Sequence, residues 1–166
     1  ARRSEPLIAL VGYTNVGKSS LLNALARSDA FVADQPFATL DPTVRRAYLR
    51  PGTHARIADT VGFITDLPQD LVSAFRATLE ELREADLLVH VLDASNHDWP
   101  RQRIAVEKLL HELELDHKPR LTVFNKCDAV AGPLPNGEGS LCVSAVTGAG
   151  LDALRVTLAE RVAGGA

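Results

Sequence analysis

Five apolar residues in succession, Leu7, Ile8, Ala9, Leu10 and Val11, leave no position for solvent, which is the pattern of a strand covered on both faces. Further stretches of strand character are predicted at 44–49, 55–58, 87–92, 121–124 and 141–143. Between them the apolar residues change period. Leu71, Phe75, Leu79 and Leu82 recur at helical spacing, as do Val106, Leu109, Leu110 and Leu113, then Leu151, Leu154, Leu158 and Val162. Alternating strand and helix signals predict an α/β fold with a parallel sheet covered by helices on both faces. Only Arg50, Pro51, Gly52, Thr53 and His54 separate the second and third strands, too few for a crossover helix, so these two form an antiparallel hairpin. The expected sheet is six-stranded and mostly parallel, with one antiparallel edge strand. The least regular stretches are 30–43 and 129–139, and long irregular loops inside a domain are often functional.

The turn after the first strand carries the first chemistry. Gly12, Tyr13, Thr14, Asn15, Val16, Gly17, Lys18 and Ser19 fit G-x-x-x-x-G-K-[ST], and the flanks are those the motif requires, a buried strand before and the helical run Ser20, Leu21, Leu22, Asn23, Ala24, Leu25 after. The two glycines let successive backbone N–H groups point into one concavity, Lys18 reaches β- and γ-phosphates, and the Ser19 hydroxyl ligates Mg²⁺. Open α/β sheets bind ligands at the carboxyl ends of their strands, and two further groups fall there. Asp59, Thr60, Val61 and Gly62 follow the third strand. There a carboxylate can hold Mg²⁺, and a glycine three residues on lets its N–H approach a γ-phosphate.

Asn125, Lys126, Cys127 and Asp128 follow the fifth strand. The Asp128 carboxylate can accept from both N1–H and the exocyclic amino group of guanine, a donor pair adenine lacks. The Lys126 stem packs over the ring, Asn125 ties the turn to the phosphate loop, and Ser144 and Ala145 can place a backbone N–H against the guanine carbonyl oxygen. Guanine is therefore preferred, and GTP or GDP is the expected ligand.

Composition changes this picture little. A length of 166 residues suits one domain that buries roughly 70% of its unfolded surface. A net charge of −3 argues against nucleic-acid binding over the whole surface, and no direct DNA binding is expected. Cys127 and Cys142 are too few for a disulfide framework and suit reduced thiols in the cytoplasm. No run is long enough for a membrane span and no signal peptide opens the chain, so a soluble monomer is expected. Residues 1–5 read as the stump of a linker, 6–163 as the nucleotide-binding domain and 164–166 as a tail. His54, His97, His111 and His117 are too dispersed for a metal site, and His90 is a core or strand-end histidine.

The ordered set GYTNVGKS, DTVG, NKCD and SA resembles the translation-factor-related class of P-loop GTPases, and the run from Ala33 to Thr43 together with DTVGFITDL resembles the HflX family of ribosome-associated GTPases. The resemblance implies a P-loop GTPase fold, Mg²⁺-dependent GTP hydrolysis and association with the large ribosomal subunit, the last requiring a domain that precedes the G domain in that family. It makes 30–43 switch I, with Thr39 the hydroxyl on Mg²⁺ and the γ-phosphate and Thr43 its competitor, and the segment from Asp59 to about Leu71 switch II. Phe63 stands where Ras-type GTPases carry the water-orienting glutamine, so slow turnover that depends on a partner is expected. Asn15 suggests K⁺ bound near the loop, supplying the charge of an arginine finger. Arg45, Arg46, Arg50 and Arg56 could form a solvated or RNA-facing patch. The expected catalytic set is Lys18, Thr39, Gly62 and Asn15. A guanine-nucleotide-dependent docking module with negligible hydrolysis is the alternative function, and a nucleotide kinase is disfavoured by the Asn125–Asp128 sequence.

Overall fold

Strand β1, Leu7–Val11, is buried at every position, and its two faces feed different packing layers. In the computed structural model of the chain, residues 5–13, 16–26, 44–59, 80, 82–135 and 139–164 are described. The elements are β1, α1 (Lys18–Ala26), β2 (Val44–Arg50), β3 (Thr53–Asp59), β4 (Leu87–Asp93), α2 (Trp99–Glu112), β5 (Arg120–Asn125), a 3₁₀ turn at Cys127–Ala129, β6 (Ser140–Cys142) and α3 (Leu151–Gly164). They form one six-stranded sheet in the order β2-β3-β1-β4-β5-β6. All pairings are parallel except that of the edge strand β2 with β3. This is the expected α/β architecture. The hairpin loop is tighter than the sequence pattern implied, because ladder pairing continues to Arg50↔Thr53 and only Pro51 and Gly52 remain in the turn.

Period-two alternation sorts the core. Ile8 and Leu10 join Leu21, Leu22 and Leu25 of α1 and Leu154 and Leu158 of α3 on one face. Leu7, Ala9 and Val11 pack with Val106 and Leu110 of α2 and with Leu82 on the other. Each fully buried leucine stabilises the fold by roughly 1.5–3 kcal/mol, so the two faces together hold the sheet that presents the strand ends. Of the expected helix over Leu71, Phe75, Leu79 and Leu82, only Leu82 falls among the described residues.

Two element ends differ from expectation for local reasons. Strand β6 is Ser140–Cys142 rather than 141–143, because the Val143 carbonyl leaves the ladder to accept from Cys127 N–H at 3.1 Å. Helix α2 stops before Leu113, and Glu114 with φ 60° turns the chain away. Pro100 lies in the first turn of α2, where its missing N–H has no helical partner to lose. The ring of Trp99 meets that of Phe124 edge-on, with centroids 4.8 Å apart, and braces the end of β5. Among the described residues no helix is long and apolar enough to cross a membrane.

Candidate functional site

The carboxyl ends of β1, β3, β4 and β5 converge at one edge of the sheet. Gly12 leaves β1 with φ 153°, and a Cβ there would lie 2.5 Å from the Val91 carbonyl oxygen of β4. Gly17 has φ 92°, and a Cβ there would collide with the Asn125 side-chain nitrogen. Both positions require glycine for conformation and for space. Tyr13 and Val16 pack into the core beside them, and Ser20 is exposed in the first turn of α1. Thr14 and Asn15 lie outside the described residues.

Lys18 is buried, and its Nζ donates to the carbonyl oxygens of Gly12 at 3.0 Å and Tyr13 at 2.9 Å. Burial lowers the pKa of this ammonium from its ordinary value, and the Asp59 carboxylate pulls it part of the way back. The Ser19 hydroxyl donates to Asp59 Oδ2 at 2.5 Å, bringing the start of α1 and the end of β3 together. A hydroxyl and a carboxylate at this spacing are the hard oxygen donors that Mg²⁺ takes. The remaining residues assigned to catalysis and metal binding, Thr39 and Gly62, lie outside the described residues, as do Thr43 and Phe63.

The second half of the site is built on β5. Asn125 is buried, donates through Nδ2 to the Val16 carbonyl at 3.0 Å and accepts at Oδ1 from Ala145 N–H at 3.1 Å. One side chain therefore joins the phosphate-type loop, the β5 end and the turn after β6. Lys126 adopts the left-handed conformation (φ 63°, ψ 32°) and starts the 3₁₀ turn carrying Asp128. Asp128 is exposed and its Oδ1 accepts from the buried Ser144 hydroxyl at 2.7 Å, while that hydroxyl accepts from Thr147 N–H at 3.1 Å. The Ser144 N–H donates to Ala149 O at 2.9 Å. The N–H groups of Ser144 and Ala145, expected to face the guanine carbonyl oxygen, are thus engaged by Ala149 O and Asn125 Oδ1, and the two residues brace Asp128 and Asn125.

Cys127 Sγ donates to Phe124 O at 3.2 Å, and burial, together with Cys142 beside it, pushes the thiol pKa up to about 12. Both cysteines are free, as expected. Arg46 binds the Glu5 carboxylate through two nitrogens, Arg56 donates to the Glu5 carbonyl, and Arg45 donates to Asn23 Oδ1 at 2.7 Å. Three of the four arginines of the expected patch thus have partners within the chain. His90 is completely buried on β4, with both ring nitrogens unpartnered and its pKa lowered to about 3 by desolvation and then by Arg120 and Arg103.

Two supporting residues escaped the sequence reading. Asp93 ends β4, and its carboxylate lies 3.5 Å from Lys126 Nζ. The available signal was an acidic residue at the carboxyl end of a strand next to Asn125–Asp128. Arg155 of α3 donates to the carbonyls of Ala24, Leu25 and Tyr48, at 3.2, 2.9 and 2.6 Å, closing the end of α1 against β2. No signal short of the tertiary packing announces it.

Known proteins are similar to this chain in sequence and in fold. The family described as 50S ribosome-binding GTPase matches residues 7–126. GTPase HflX of Caldanaerobacter subterraneus is 49% identical over 90% of this chain, and GTPase HflX of Escherichia coli is 44% identical over 96% of it. The chain spans only 35% and 39% of those proteins' lengths. A GTP-binding protein from Sulfolobus solfataricus, solved in complex with GDP, superposes with a TM-score of 0.77 at 25% identity, over 96% of this chain and 53% of that one.

Proposed function

The chain belongs to the HflX family of GTPases, within the 50S ribosome-binding GTPases, and from that premise we propose that it is a Mg²⁺-dependent molecular switch whose slow hydrolysis of GTP is stimulated by the large ribosomal subunit. The observation that carries the reading is Asn125, whose two hydrogen bonds join the loop at Val16 to the turn at Ala145. Phosphate and base sites so joined suit a nucleotide that carries both.

In this reading residues 6–163 act as the G domain. Gly12, Tyr13, Thr14, Asn15, Val16, Gly17, Ser19 and Ser20 line the phosphates. The Lys18 ammonium, which donates to two loop carbonyls, exchanges them for β- and γ-phosphate oxygens. Ser19 and Asp59, with Thr39, would hold Mg²⁺, which when bound would supply positive charge against that developing on the phosphates. Water attacks the γ-phosphorus, the bond to the β-phosphate oxygen breaks, and GDP and inorganic phosphate leave. Asp128, oriented by Ser144, selects guanine. Gly62 would offer its N–H to the γ-phosphate, and Asn15 would hold K⁺, which would supply the charge of an arginine finger.

Phe63 favours a second reading, a docking module that binds guanine nucleotides and hydrolyses negligibly alone, because a phenyl ring cannot orient water. Multiple-turnover phosphate release, measured with and without large ribosomal subunits, decides between them. Stimulated turnover supports the switch. Turnover that stays negligible in both conditions, with nucleotide bound, supports the docking module. Because the chain spans little over a third of its relatives' length, the same assay on a form spanning those relatives' full length tests where ribosome binding resides.

A further inference from the structure

The ladder between β4 and β5 places Asp93 opposite Asn125, one residue before Lys126. The Asp93 carboxylate is not free to rotate. Its Oδ1 accepts from Ser95 N–H at 2.9 Å and from the Ser95 hydroxyl at 2.6 Å, and the backbone beside it is fixed by Ala94 N–H donating to Asn125 O at 2.9 Å. Oδ2 then faces the Lys126 ammonium at 3.5 Å, and the Asp93 side chain is only 13% exposed. Lys126 is itself held in the left-handed conformation that non-glycine residues disfavour, which fixes the direction in which its side chain leaves the turn. Its Cε passes 3.7 Å from the point where Gly17 would carry a Cβ. The stem therefore crosses the bare glycine of the phosphate loop and ends on Asp93.

We propose that Asp93 is a positioning residue for base recognition: by holding the Lys126 ammonium it fixes the methylene stem as a flat apolar platform for the guanine ring. The proposal rests on the reading of Asn125–Asp128 as the base site. A lysine stem left untethered would sample many rotamers and lose that entropy on each binding event. The tether removes this loss before the nucleotide arrives. Ser95 acts one step further out, by setting the carboxylate's orientation.

Dissociation of a fluorescent GDP analogue tests this on four forms of the chain: unmodified, Asp93→Asn, Lys126→Met and the double variant. Asp93→Asn keeps the shape and removes the charge, and is expected to speed dissociation by about three- to tenfold, the range of a partly buried ion pair. In the Lys126→Met background the same change is expected to do nothing. Inorganic pyrophosphate, which has no base to stack, should compete equally well for the unmodified chain and for Asp93→Asn.

An equal effect of Asp93→Asn in both backgrounds, or a matching loss of pyrophosphate competition, overturns the proposal, because Asp93 would then act on the fold of the loop. Asp128→Asn separates this failure from that of the premise. If Asp128→Asn leaves the preference for GDP over ADP intact, the base-site reading falls and takes the proposal with it. If Asp128→Asn relaxes that preference while Asp93→Asn is silent, the proposal alone falls.

Discussion

Asn125 donates its Nδ2 to the carbonyl of Val16 at 3.0 Å, a contact that closes 109 residues of sequence into one site. Asn125→Ala removes this bond and the one accepted from Ala145, leaving a buried carbonyl and an N–H without partners. The expected loss is about 2–4 kcal/mol of unfolding free energy, measured by denaturant titration without nucleotide. A larger fall in GDP affinity should accompany it, since loop and base turn lose their common anchor.

Gly12→Ala should be more damaging than its size suggests. The new methyl would lie 2.5 Å from the Val91 carbonyl, a backbone atom in the sheet centre that cannot move aside, and φ 153° disfavours any side chain. We expect a loss of roughly 3 kcal/mol or more together with loss of nucleotide binding. Gly52→Ala, with open space around it although φ is 81°, is the control that isolates the effect of the clash. Thermal unfolding of both variants in parallel separates the two contributions.

His90 makes the fold acid-sensitive. Its pKa is about 3 in the folded chain and about 6.5 when unfolded, so below pH 6.5 the unfolded state binds the extra proton and stability falls as pH falls. Between pH 7 and pH 4.5 this one group should remove about 2.5 kcal/mol. His90→Leu, which fills a similar space and also removes two unpartnered buried nitrogens, should flatten that part of the pH profile. Denaturant titrations of both proteins at the two pH values give the difference directly.

Arg155→Ala should destabilise the chain by about 2–4 kcal/mol, because it strips three carbonyl groups at the end of α1 and on β2 of their donor. Among the described residues α1 has no basic residue in its last turn. Arg155→Lys should recover only part of the loss, since a single ammonium cannot span all three oxygens. Denaturant midpoints for the three proteins check the order.

The fold was legible because its signals were local. Leu7–Val11 is apolar at five consecutive positions, and the residues between Arg50 and His54 are too few to cross a sheet. The edges of elements were less legible, since Val143 leaves its strand only to accept a bond from Cys127. At the site, Gly12, Lys18, Asn125 and Asp128 stand out in the sequence by their spacing, and the structure brings them to one edge of the sheet. Asp93 and Arg155 did not. Their roles depend on strand adjacency and helix packing, which no window along the chain contains.

The proposed function gives Asp128, held by Ser144 at 2.7 Å, the selection of guanine. Competition of GTP and ATP against a fluorescent GDP analogue, on the unmodified chain and on Asp128→Asn, tests it most directly. The expected result is strong preference for GTP in the first, and a preference relaxed by at least about tenfold in the second, the loss of one charged hydrogen-bonding partner. Equal discrimination in the two proteins, or none in the unmodified chain, would contradict it.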